Sequence, residues 1–140
     1  MAEHPLGRPS LALIFALICK AASAGGQAPV EVSLAFDLQP IFDSACVQCH
    51  LLESQQGDLV LENGEAWANL VGINSIQAPL KRVLPGKPEA SYLVNKLLGT
   101  HLAVGGSGHP MPYGSEASAG ISASSVELIE RWIRQGAADN

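Results

Sequence analysis

Cys46-Val47-Gln48-Cys49-His50 constrains what this chain can fold around more than any other stretch. Two cysteines with two residues between them, followed at once by a histidine, form the attachment pattern of a c-type haem. Each thiol adds its S–H across one haem vinyl group and becomes a thioether. Two intervening residues let the sulfurs reach two vinyls on one edge of the porphyrin. His50 then lies under the ring, where a neutral imidazole nitrogen can meet the iron as proximal ligand. Zinc and thiol redox sites also use Cys-x-x-Cys. A structural zinc site, however, draws four protein ligands, commonly from a second pair. No second pair exists here, and His101 and His109 are the only later histidines. No βαβ pattern surrounds the motif, as a thioredoxin-like dithiol would need.

The chain has 140 residues, enough for one domain, and carries no internal repeat. Charged residues make up 15% and aromatics 5%, so the expected core is small and aliphatic. A large apolar disc would thicken it. Residues 1–24 read as a signal peptide. Arg8 gives a positive start, Leu11 to Ile18 an apolar run, and Ala22-Ser23-Ala24 a small-x-small cleavage site. The run is short for a bilayer span and Lys20 interrupts it. Membrane association is therefore expected only through an uncleaved leader. Cys19 belongs to the leader, which leaves Cys46 and Cys49 alone and no disulfide framework. The formal net charge is −5, and the leader holds two of the cations (Arg8, Lys20) against one acid (Glu3). The remainder is more acidic still, which argues against nucleic acid as a partner. Export fits haem c, which is attached outside the cytoplasm. The periplasm or another exported location is expected.

Residues 25–35 read as a flexible lead-in and residues 36–140 as the domain. A first helix is expected from about Leu38 through Cys46, with Pro40 in its first turn and Ile41, Phe42 and Ala45 on one face. Phe36 and Phe42 read as core. Leu59-Val60-Leu61 reads as a brief extended piece, and Glu65 to Val71 as a short helix stopped by Gly72. Its Trp67 reads as a core residue, with an indole bond to a haem propionate as the alternative. Residues 79–88 form a proline-rich basic connection, whose Lys81 or Arg82 would pair with a propionate or stay solvated. Pro88-Glu89-Ala90-Ser91 opens a helix with Leu93, Val94, Leu97 and Leu98 on its apolar face.

Thr100 to Gly120 is a long glycine-rich loop centred on His109-Pro110-Met111-Pro112. A loop of this length is usually functional or disordered. Two prolines fix the backbone around the one methionine beyond the leader. A thioether on iron needs such a held loop, and methionine as sixth ligand raises the reduction potential. Met111 is the expected distal ligand, with His109, and then His101, as alternatives. A final helix starts at Ser122 or Ser124, with Val126, Ile129 and Ile133 in one stripe, Trp132 beside it, and Gly136 at its end. Its expected partner is the first helix.

With these parts in place the chain resembles the cytochrome c superfamily, and more narrowly its small planctomycete-type monohaem domains. The resemblance rests on Ile41-Phe42 leading into Cys46-Val47-Gln48-Cys49-His50, on Pro85-Gly86-Lys87-Pro88-Glu89-Ala90-Ser91-Tyr92-Leu93, on Met111-Pro112, and on Ile121-Ser122-Ala123 into Ile129-Glu130-Arg131-Trp132-Ile133 with Gly136-Ala137. It covers roughly residues 36 to 138. It implies an all-α, cytochrome c-like fold around one covalently attached haem. It also implies thioethers at Cys46 and Cys49, and His50 and Met111 on the iron. His109 beside Met111 departs from the common pattern. The expected function is one-electron transfer between redox proteins, without enzymatic activity, since no catalytic constellation is visible. Ser107, Ser115 and Ser118 have no base and orienter nearby in sequence. The alternatives are a haem enzyme or gas sensor with a labile sixth ligand, and a haem-free zinc or interaction module.

Overall fold

The computed structural model describes Met1, residues 30–114 and residues 121–140. The rest of the expected leader, including Cys19 and the cleavage site, lies outside the described residues. So do residues 25–29 of the expected lead-in, and Ser115 and Ser118.

Helix α1 (Gln39–Ala45) takes Pro40 in its first turn, as expected, because an N–H is dispensable there. A π-helical turn, Leu34–Leu38, runs straight into it, capped by Ser33 Oγ, which accepts the Phe36 N–H. This turn occupies part of the expected lead-in. Val32 and Leu34 are buried there instead of trailing free. Their backbone groups are tied to the far end of the chain. Val32 N–H donates to Gln135 Oε1 and Leu34 N–H to Asn140 Oδ1, each at 2.8 Å. Phe42 is core at 1% exposure, whereas Phe36 is 86% exposed on the outer side of the turn.

Beyond the haem motif the helical path breaks. The chain reverses at Leu52-Glu53 and pairs β1 (His50–Leu51) with β2 (Ser54–Gln55) as an antiparallel hairpin, His50 opposite Gln55 and Leu51 opposite Ser54. Helix α2 (Ala66–Leu70) follows. Residues 71–91 contain three isolated bridges: Val71 to Val83, Asn74 to Lys81 and Lys81 to Ser91. Prolines and left-handed glycines preclude helix here, so the backbone finds partners sideways. A 3-10 turn (Pro88–Ala90) leads into α3 (Tyr92–Leu97), and α4 (Ala123–Arg134) closes the chain. Ser91 is fully buried. Its Oγ donates to Lys87 O at 2.8 Å and accepts from Leu84 N–H at 2.9 Å, closing the Pro-Gly-x-Pro stretch on itself.

The expected all-α, cytochrome c-like fold around one attached haem is therefore corrected. The described residues form four short α-helices together with a small antiparallel sheet. Among them, no group of His, Cys, Asp and Glu side chains is gathered that could hold a metal ion.

Ser122, not Ser124, caps α4, accepting the Ser125 N–H at 3.1 Å. The expected stripe is buried: Val126, Ile129, Trp132 and Ile133. It packs on the Leu34–Leu38 turn and on α3. The core also takes Leu38, Phe42, Leu70, Val83 and Leu97. Each such side chain contributes about 1.5–3 kcal/mol by burial. Two indoles pin the tail beyond α4. Trp132 Nε1 donates to Ala138 O at 2.9 Å, and Trp67 Nε1 to Ala137 O at 2.8 Å. The Trp67 indole is thus committed to the tail rather than facing a ligand.

Candidate functional site

Cys46, Cys49, His50 and Met111 line one cavity of about 640 Å³. Its size falls within the range of about 300–1,000 Å³ usual for small-molecule and cofactor sites. The motif reaches the cavity because α1 ends there. Cys46 and Val47 N–H groups both donate to Phe42 O, and His50 N–H bonds back to Cys46 O and Val47 O. His50 is then held from its carbonyl side, where Leu61 N–H donates to His50 O at 2.9 Å. Leu61 O in turn accepts from Gln39 Nε2 at 2.9 Å, so a buried glutamine on α1 braces the histidine through one intermediate strand of chain.

Burial, and less so the charge of Arg82, holds the His50 imidazole below its ordinary pKa. Backbone groups at Leu59 and Gln56 pull the other way. The balance favours the neutral ring, the form that offers a lone pair to a metal. His50 Nδ1 is buried and has no hydrogen-bond partner. Cys46 is half-buried, and burial pushes its thiol up to about 11, while Cys49 is exposed.

α3 and the loop after it also line the cavity. Leu93 and Leu97 face the cavity, and Leu59, Leu61 and Leu70 complete an apolar lining. Met111 is half-buried and packs against the core. His109 also lines the cavity, with its ring edge-on to Tyr113 at 5.0 Å. His101 does not. It is buried at 2% exposure in a 3-10 turn (His101–Val104), its Nε2 donating to Gly108 O at 3.1 Å. Of the three alternatives for a distal ligand, Met111 and His109 share the cavity and His101 stands apart.

Two cations on the wall went unweighted or were misplaced in the sequence. Arg82, expected on a surface connection, is buried at 7% exposure. Its guanidinium donates to Asn69 O at 2.9 Å, Asp58 O at 2.6 Å and Gly57 O at 3.2 Å. Lys96 is equally buried on α3. Lys96 was legible in principle as a cation between apolar residues of one helical face. Arg82 carried no such signal, since its burial follows from long-range bridges. The Ser107 backbone is held by Tyr92 and Lys96 of α3, and its Oγ donates to Gln77 O at 3.4 Å.

These residues fit a c-type haem. The cavity is largely apolar and of cofactor size, the His50 nitrogen on its wall is buried without a partner, and the Met111 thioether side chain lines the same cavity. A haem takes only axial ligands from protein, so it needs no cluster of protein donors. Comparison of the chain with protein-family models, with curated proteins and with solved structures found no match.

Proposed function

We propose that the chain is a monohaem c-type cytochrome that carries single electrons between redox proteins outside the cytoplasm. One observation carries this reading: the Cys46–His50 motif and Met111, far apart in sequence, meet on one cofactor-sized apolar cavity. Cys46 and Cys49 would hold the group as thioethers, and His50 and Met111 would bind its iron. When bound, the group supplies a ferric–ferrous couple. The chain's part is to fix both axial side chains and to exclude water. Hairpin β1–β2 and Leu61 hold the His50 backbone. Leu59, Leu61, Leu70, Leu93 and Leu97 keep the site dry. Iron ligands held in place by the chain would move little between redox states, which favours fast transfer. A thioether ligand from Met111 and apolar walls would raise the potential.

The test is the absorption spectrum of the full chain exported with haem-attachment machinery, oxidised and reduced. Sharp reduced bands of a six-coordinate c-type haem, with a weak far-red sulfur-to-iron band when oxidised, are expected. C46A and C49A should each lose one thioether. A six-coordinate spectrum lacking the far-red band would move the distal role to His109. A high-spin spectrum that binds carbon monoxide would replace the carrier with an enzyme or sensor. No haem at all, despite competent maturation, would end the reading.

A further inference from the structure

Lys96 is the one residue that grips the Met111 loop from α3 at three points. Its ammonium donates to Ser107 O and to His109 O, each at 2.8 Å. Its own backbone carbonyl accepts the Met111 N–H at 3.0 Å. The side chain is buried, and its Nζ lies 5.4 Å from the centre of the Tyr92 ring. No carboxylate among the described residues pairs with it. A buried cation satisfied by loop carbonyls alone holds that loop with charge-assisted bonds, about twice as strong as neutral ones. Tyr92 adds a neutral clasp, its hydroxyl donating to Ser107 O at 3.2 Å and accepting Ser107 N–H at 3.3 Å. Gly108 passes so close that a Cβ there would lie 3.3 Å from Lys96 Nζ.

We infer that Lys96 is the positioning residue that fixes the backbone of the loop on which Met111 and His109 both line the cavity, and that by fixing it Lys96 favours Met111 over His109 as the iron ligand. This rests on the proposed assignment of Met111 to the iron. The ammonium bond to His109 O fixes the backbone at His109, and the bond to Ser107 O fixes the loop upstream. The two rival ligands are two residues apart, so the choice between them is a choice of loop path. Without the ammonium that path loses its two charge-assisted bonds and keeps neutral ones, among them the Met111 N–H, the Tyr92 clasp and the bond between His101 Nε2 and Gly108 O.

The test uses the full chain carrying its haem, with K96M and K96Q removing the cation and K96R keeping one with paired donors. In K96M and K96Q the balance between Met111 and other ligands should shift by about tenfold or more, the scale of one lost charge-assisted hydrogen bond. It is read as loss of the far-red band and a lower potential, with thioether attachment and far-ultraviolet circular dichroism unchanged. K96R should keep the band. In the haem-free chain, K96M should speed hydrogen exchange at the Met111 amide. K96Q gives the same readings if K96M fails to fold. A wild-type band that persists unchanged in both variants, with an unchanged potential, overturns the role of Lys96 and leaves the electron-carrier reading standing. A wild-type protein without the band overturns the Met111 assignment, and the inference with it.

Discussion

Replacing Arg82 by methionine tests how the cavity's deep wall is built. Methionine keeps the unbranched stem and removes the guanidinium. Arg82 joins two segments, the Gly57-Asp58 turn and the end of α2 at Asn69. Two of its bonds are short, 2.6 Å to Asp58 O and 2.9 Å to Asn69 O, and a third is long at 3.2 Å. Hydrogen bonds to a charged group contribute about 1.5–3 kcal/mol each. The Asp58 carboxylate adds little. It is 4.0 Å away with its side chain 70% exposed, the regime in which an ion pair is worth about 0–1 kcal/mol. Against this stands the cost of burying the cation, which holds the guanidinium pKa below its ordinary value despite the opposing pull of Asp58. Removal also relieves that cost. Two strong bonds, less partial relief, leave a net destabilisation of roughly 2–4 kcal/mol. Urea unfolding of the haem-free chain, followed by tryptophan fluorescence, measures it. A loss below about 0.5 kcal/mol would refute the reasoning, because it would mean that water satisfies the three carbonyls as well as the guanidinium does.

Two further outcomes follow from particular contacts. Burial raises the Cys46 thiol from its ordinary 9.0 to about 11, so the unfolded chain releases that proton first. The haem-free protein should therefore lose stability as pH rises from about 9 to 11, by on the order of 1–2 kcal/mol, and C46A or thioether attachment should abolish that slope in denaturant titrations. Gly106→Ala would place a Cβ 2.6 Å from His101 O and from the Tyr92 ring and hydroxyl. Overpacking and a broken Tyr92 clasp should cost about 2–3 kcal/mol in unfolding experiments, and an unchanged midpoint would show that the loop has room to yield.

What the sequence made legible followed local rules. Pro40 placed the start of α1, Gly136 the end of α4, and the Val126–Ile129–Ile133 spacing the face that is buried. That Cys46, Cys49 and His50 belong to one site was readable from their spacing, and all three line one cavity. The errors came from contacts between distant residues. Val32 and Leu34 looked like lead-in because nothing local orders them; Gln135 and Asn140 do. For Arg82 the sequence left a propionate partner and a solvated surface both open, and neither anticipates the carbonyls of Gly57, Asp58 and Asn69 that hold it. The all-α expectation failed at Leu52-Glu53, where β1 and β2 pair over two residues each, too short to leave an alternating pattern.

The same core that the sequence predicted to be thin is incomplete on one side. Leu59, Leu93 and Met111 pack against it yet stay only half-buried, and all three face the cavity. Full burial of such side chains is worth about 1.5–3 kcal/mol each, so covering the remaining half of three should add roughly 2–4 kcal/mol. Unfolded chains already bury some apolar surface, which makes this an upper range. The chain carrying its proposed haem should therefore unfold at a higher urea concentration than the haem-free chain. C46A/C49A chain matured alongside, which cannot form thioethers, separates burial from covalent cross-linking when haem is added back. If added haem leaves the midpoint of that variant unmoved, the cavity does not complete the core, and the apolar wall must have formed for a smaller or more polar ligand.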